Sequence, residues 1–190
     1  MRPKKNPSKR RRALPGDLTP QQQVERMIRV DQAGEYGARR IYEGQLAVLG
    51  KSPSGPLIRH MYEQELNHLK TFDDMVVERR VRPTALQPVW HVAGFLLGAG
   101  TALLGEKAAM ACTVAVEEAI DEHYSAQASA LEGDAEEAEL KATIERFREE
   151  ELEHRDTGLE EGAEEAPAYP VLSAAIKGGS RLAIWLSERI

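Results

Sequence analysis

Two short segments, EQELNHL (63–69) and EEELEHR (149–155), each place a glutamate three residues before a histidine: Glu65 with His68, and Glu151 with His154. Three residues is close to one helical turn, so each pair reaches the same point beside its helix. A carboxylate beside an imidazole can hold a hard or borderline metal ion, or form a buried ion pair. The spacing alone does not separate the two, because the chain carries 31 acidic residues.

Position relative to apolar residues separates them better. Core residues of a packed helix recur every three or four positions. The beat Leu140, Ile144, Phe147 runs on to Glu151 and His154, while Glu149, Glu150 and Glu153 fall off it onto a solvated face. The beat Ile58, Met61 leads to Glu65 and His68, then to Phe72 and Val76. Two further stripes carry an acid in the middle. Val24, Ile28, Asp31, Glu35, Ala38, Tyr42 and Leu49 enclose Glu35; Met110, Val114, Glu117, Asp121, Tyr124, Ala128 and Leu131 enclose Glu117.

The chain thus reads twice as a helix with an inward Glu followed by a helix with an inward Glu-x-x-His. One Glu from each of two helices and one Glu-x-x-His from each of two others is the ligand set of a di-iron carboxylate bundle. The expected metal ligands are Glu35, Glu65, His68, Glu117, Glu151 and His154. Facing carboxylates in an apolar interior repel one another and take up protons unless cations cancel them. Oxygen-rich ligation with two imidazoles suits iron or manganese. Two such ions held ~3.5–4 Å apart form a two-metal site. Without metal, the same residues would be a salt-bridge network, but no Lys or Arg lies on the stripes to serve it. Asp31 is a candidate acceptor for a ligand histidine. Tyr124 either borders the metals or fills core, Met110 and Phe147 read as packing, and His60 and His91 show no partner pattern.

The elements that must position these residues read as all-α. Helices are predicted over Gln21–Leu49, Leu57 to about Arg80, Glu106 to about Leu131, Ala138 to about Thr157, and a last one ending at Ile190. The segments GKSPSGP, VRPTALQP and EGDAEE break them. The stretch VWHVAGFLLGAGTALLG (89–105) is uncharged and, at 17 residues, short of the ~20 needed to span a bilayer. It reads as a buried crossover helix or as a helix lying in a membrane interface. Its GAGTAL lacks the third glycine and preceding strand of a dinucleotide fingerprint.

At 190 residues the expectation is one domain over 21–190, preceded by a disordered basic tail over 1–20. Seven Lys or Arg in the first twelve residues leave 18 basic residues against 31 acidic in the rest. Such a tail suits a solvated segment or an anionic lipid surface. It does not suit nucleic acid, since no aromatics interleave and the body is acidic. It has no apolar core of a secretory signal, and a partial mitochondrial presequence stays open. The single Cys112 excludes an internal disulfide and a cysteine-built metal site.

The segments RVDQAGEYGARRIYEGQ, EQELNHL, GAGTALLG, EEAIDEHY and LSERI resemble the demethoxyubiquinone hydroxylase family of ubiquinone biosynthesis, over about residues 24–190. In the matching motifs the metal positions are the six residues above. The resemblance implies a ferritin-like four-helix bundle with a long apolar crossover and an added C-terminal helix. It implies a monooxygenase that uses two iron ions, O2 and electrons from NADH to hydroxylate the ring of a polyprenylated methoxy-methyl-benzoquinol. His123 and Tyr124 match a His-Tyr pair of the family, near the metals or relaying electrons. Peripheral attachment to a membrane is implied, on the cytoplasmic face of a bacterial inner membrane or the matrix face of the mitochondrial one. Other ubiquinone-biosynthesis proteins and a homo-oligomer are the expected partners. The competing readings are a ferritin- or rubrerythrin-like ferroxidase or peroxidase, and a non-catalytic helical scaffold in a quinone-synthesis complex.

Overall fold

The computed structural model describes residue 14 and residues 16–190; the basic residues of the expected tail lie outside the described residues. Six α-helices form, with no strand among the described residues: α1 (Pro20–Leu49), α2 (Gly55–Glu78), α3 (Gln87–Leu103), α4 (Glu106–Ala130), α5 (Ala138–Glu160) and α6 (Tyr169–Ser187). A capping box opens α1. Thr19 accepts from the Gln22 amide, and the Gln22 side chain accepts from the Thr19 amide. Prolines in the first turn open α1, α2, α3 and α6, where a missing N–H costs nothing. Gly105, at φ 116°, lets the chain turn from α3 into α4 within two residues.

Cross-helix contacts give the directions. Gln32 bonds Asp73 and Tyr42 reaches Met61, so α2 returns antiparallel to α1. Arg148 bonds Asp121, and Gly158 lies beside Met110 and Val114, so α5 returns antiparallel to α4. Between these pairs, α3 carries the chain back alongside α1. At 17 residues it covers roughly 25 Å. The start of α4 thereby meets the start of α2, where the Ser54 amide donates to Glu106 at 3.2 Å. Helix α6 runs along α4, held by Lys177–Glu118 and Arg181–Glu122.

The core is layered. Tyr42, Leu49, Ile58, Met61, Met110 and Val114 fill one end, and Ile28, Phe72, Tyr124, Leu140, Ile144 and Phe147 fill the other. The expected stripes are largely the buried faces, and Glu35, Glu65, Glu117 and Glu151 lie between two apolar plugs; Asp121 departs from its stripe, half-buried and paired with Arg148.

The 89–105 stretch departs from the expectation of a buried crossover. Only Gly94, Gly98, Thr101 and Ala102 of α3 are buried, while Val89, Val92, Leu96 and Leu103 are each more than half exposed. The inner face is glycine because α3 presses directly on α1. A methyl on Gly98 would meet the Ile41 carbonyl, one on Gly44 the Phe95 carbonyl, and one on Gly94 the Gly37 carbonyl. On α6, Val171, Leu182 and Trp185 are similarly exposed, and the helix ends at Ser187 rather than at Ile190. Among the described residues, no helix is long and apolar enough to cross a membrane.

Candidate metal centre

The six residues singled out from the stripes converge from four helices: Glu35 from α1, Glu65 and His68 from α2, Glu117 from α4, Glu151 and His154 from α5. All are buried. Candidate ligand atoms of Glu35, Glu65, His68 and Glu151 lie within 4.8 Å of one another, as do those of Glu65, Glu117, Glu151 and His154. Glu65 and Glu151 belong to both groups. His68 Nδ1 is 3.0 Å from Glu151 Oε1 and 3.6 Å from Glu35 Oε2. His154 Nδ1 is 3.1 Å from Glu151 Oε2 and 3.3 Å from Glu65 Oε1. Phe147 stacks on the His68 ring at 4.0 Å between centroids, closing that side to water.

Two tyrosines hold the acids of α1 and α4 reciprocally. Tyr42 of α1 donates to Glu117 Oε1 at 3.1 Å, and Tyr124 of α4 donates to Glu35 Oε1. Each tyrosine stands seven residues after the glutamate of its own helix and bonds the glutamate of the other. Burial raises both phenols well above their ordinary range, with Glu117 and Glu35 respectively adding to it, so both remain donors. Tyr124 thus fills core and borders the cluster at once. Tyr42 has the equivalent role, which the stripe alone did not reveal; its repeated seven-residue offset was the available signal.

The remaining oxygens are left over. Among the described residues, Glu35 Oε2, Glu117 Oε2 and both oxygens of Glu65 are buried without a hydrogen-bond partner. Burial raises the Glu65 carboxyl well above the usual range, and Glu151 and Glu35 push it further. Burial does the same to Glu117, aided by Glu151 and Glu65. For Glu151, burial would raise the carboxyl, but the hydrogen bonds of His154 and His68 win and hold it low. For both histidines, burial would favour the neutral ring, and the surrounding carboxylates together, Glu151 foremost, outweigh it. Such a group either binds protons or gathers cations. The donor set, four carboxylates and two imidazoles, fits two hard or borderline divalent ions.

Asp31 does not serve a cluster histidine as expected. It lies one turn before Glu35 and meets α4 instead, accepting from Gln127 Nε2 at 2.8 Å with His123 Nε2 at 3.2 Å. His123 therefore sits behind the cluster, on a cavity lined by Arg26, Gln127 and Glu188 together with apolar Met27, Val30 and Ala126. The groups that do reach the cluster histidines are Glu150, 2.6 Å from His68 Nε2, and Gln64, 3.0 Å from His154 Nε2. Glu150 was expected on the solvated face. Its side chain extends sideways from that face across to α2, which the direction of its Cβ does not disclose.

An apolar groove of about 320 Å3 runs between α1, α3, α4 and α6, and none of the six cluster residues lines it. Ala38, Ile41, Val116 and Ile120 form its wall on α1 and α4, next to Glu35 and Glu117 along those helices, and Leu97 of α3 and Ile184 of α6 form its sides.

Residues 22–187 match the model of the family described as ubiquinone biosynthesis protein COQ7. The chain belongs to the COQ7 family. It is 64% identical to the 3-demethoxyubiquinol 3-hydroxylase of Rhodospirillum rubrum over 93% of this chain and 83% of that protein. It is 59% identical to the human NADPH-dependent 3-demethoxyubiquinone 3-hydroxylase, mitochondrial, over 88% of this chain and 78% of the relative. With the mitochondrial 5-demethoxyubiquinone hydroxylase of Saccharomyces cerevisiae the identity is 44%, over the same shares. COQ7 relatives named as hydroxylases thus occur in a bacterium and in mitochondria. The human protein's name specifies NADPH, where NADH was the expectation.

Proposed function

We propose that the protein is a di-iron monooxygenase that hydroxylates the ring of a demethoxyubiquinol during ubiquinone biosynthesis. The observation that carries this is the buried set of six residues with orphaned carboxylate oxygens, in a chain so similar to proteins named for that hydroxylation. Glu35, Glu65, His68 and Glu151 would hold one iron, and Glu65, Glu117, Glu151 and His154 the other. Bound iron supplies the activation of O2. Overall, one oxygen atom enters a ring C–H bond and the other leaves as water, consuming two electrons and two protons. A reduced nicotinamide is the proposed electron source.

The chain's own residues set the geometry. Tyr124 and Tyr42 each hold one oxygen of Glu35 and of Glu117 and leave Oε2 for a cation. Phe147 shields His68 from water. The groove between α1, α3, α4 and α6 suits an aromatic head carrying an isoprenoid chain, because nearly all of its lining is apolar. Its sides are the two helices whose outer faces expose Val92, Leu96, Leu182 and Trp185. A polyprenyl quinol resides in lipid, so these faces are proposed to rest on the membrane that holds it, without spanning it.

The test is hydroxylation by the purified chain. Iron-reconstituted protein receives demethoxyubiquinol, O2 and NADH or NADPH, and mass spectrometry follows a gain of one oxygen atom. Product from the wild type and none from Glu65→Ala supports the proposal. Oxygen uptake or Fe(II) oxidation without hydroxylated quinol favours the ferroxidase reading. Unchanged pathway output in cells carrying Glu65→Ala favours the scaffold. Flotation with vesicles, weakened by Leu96→Glu with Trp185→Glu, tests the membrane face.

A further inference from the structure

Each Glu-x-x-His helix also supports the histidine of the other. Gln64 and Glu150 stand immediately before the glutamates of their motifs, and they cross over: Glu150 Oε2 to His68 Nε2 at 2.6 Å, Gln64 Oε1 to His154 Nε2 at 3.0 Å. Both rings turn Nδ1 toward the carboxylates, 3.0 and 3.1 Å from the two oxygens of Glu151. A carboxylate only accepts, so Glu150 fixes a proton on His68 Nε2, and Nδ1, which meets Glu151 in the metal-free fold, is the nitrogen left to exchange its proton for a cation. The Gln64 amide oxygen imposes the same tautomer on His154. The two supports are alike in placement and unlike in charge. A carboxylate behind an imidazole N–H raises the basicity of the opposite nitrogen, and it does so more than an amide because the bond is charge-assisted.

We infer that Glu150 makes the two cation positions unequal: the position built on His68 binds its divalent ion more tightly and fills first, and the position built on His154 fills second. This rests on reading the cluster as a di-metal centre. Glu150 acts through the ring of His68 and is a positioning residue.

The experiment is a titration of the metal-free full-length chain with Co(II), in competition with a chelator, followed by the visible absorption of the bound ion. Wild type should show two resolved steps. In Glu150→Gln the tighter step should weaken 10- to 100-fold, the range for loss of a group supporting a ligand, and merge with the second. Its first-step absorption band should shift, a change that a purely structural role would not produce. Glu150→Asp should recover part of the loss. Gln64→Glu should strengthen the weaker step about tenfold, which keeps the inference testable if Glu150→Gln does not fold. Melting of the metal-free variants checks folding independently. Two ions bound by wild type and by Glu150→Gln with superimposable isotherms would overturn the inference and leave the di-metal reading intact; so would an unmoved second step in Gln64→Glu. A wild type that binds fewer than two ions would remove both.

Discussion

Gln45 stands ten residues after Glu35, and Gln127 ten after Glu117. The first donates to Thr113 and the second to Asp31, each four residues before the glutamate of the opposite helix. With the Tyr42–Glu117 and Tyr124–Glu35 bonds, the α1–α2 half and the α4–α5 half use one set of offsets to grip one another. Their differences are then informative. Asp31 replaces a threonine, His123 replaces Ile41, and Glu150 replaces Gln64. The common offsets hold the four carboxylates together, and the exceptions place extra ionisable groups on one side of them.

The largest effect expected from breaking this equivalence lies in the shared acids. Glu65→Ala or Glu151→Ala removes a residue common to both groups and should empty both positions, lowering hydroxylation at least about a thousandfold. Glu35→Ala or Glu117→Ala should empty one position only, and elemental analysis of metal per chain distinguishes the cases. Equal loss from all four variants would mean that the halves do not act as separate positions.

Metal removal comes next. Glu65 and Glu117 are raised in the metal-free fold, so the fold binds protons that the unfolded chain releases, and its stability falls as pH rises above the ordinary carboxylate range. Cations displace those protons. Loading at pH 7 should release protons, seen by calorimetry in buffers of different ionisation heat. It should also stabilise the fold by about 2.7 kcal/mol for each ion at a free concentration a hundredfold above its Kd.

Gly98→Ala and Gly100→Ala compare the two faces of α3. The first drives a methyl into the Ile41 carbonyl and should cost about 2 kcal/mol in denaturant unfolding. The second meets nothing and should stabilise by about 0.5 kcal/mol. Between these two in size, Tyr42→Phe and Tyr124→Phe should each cost about 1 kcal/mol, since each removes one hydrogen bond to a buried acid. A clearly larger loss for Tyr124→Phe would show that the polar surroundings of Asp31 and His123 stress that side.

The all-α architecture and the six converging residues were legible because burial leaves a period. An acid in the middle of the apolar beat, as Glu35 is between Ile28 and Ala38, points inward, whereas Asp121 on the α4 beat finds Arg148 and stays only half-buried. The partners themselves were not legible. Asp31 lies on the beat too, but periodicity does not say that α4 presents His123 and Gln127 to it. Glu150 shows the converse failure, a residue off the beat whose reach brings its carboxylate to a buried ring. The sequence left α3 open between a buried and an interfacial helix because a stretch without charged residues shows little contrast between its inner and outer faces.

The bare contacts of Gly44, Gly94 and Gly98 have a consequence for distance. Where two helices touch backbone to backbone, no layer of side chains separates them, and their axes lie no farther apart than the usual 8–10 Å. Helix α3 has its oily side outward, and α1 carries Glu35. Under the proposed contact of that side with lipid, only this one helix would stand between the membrane and α1. The missing methyl groups set the thickness of that wall.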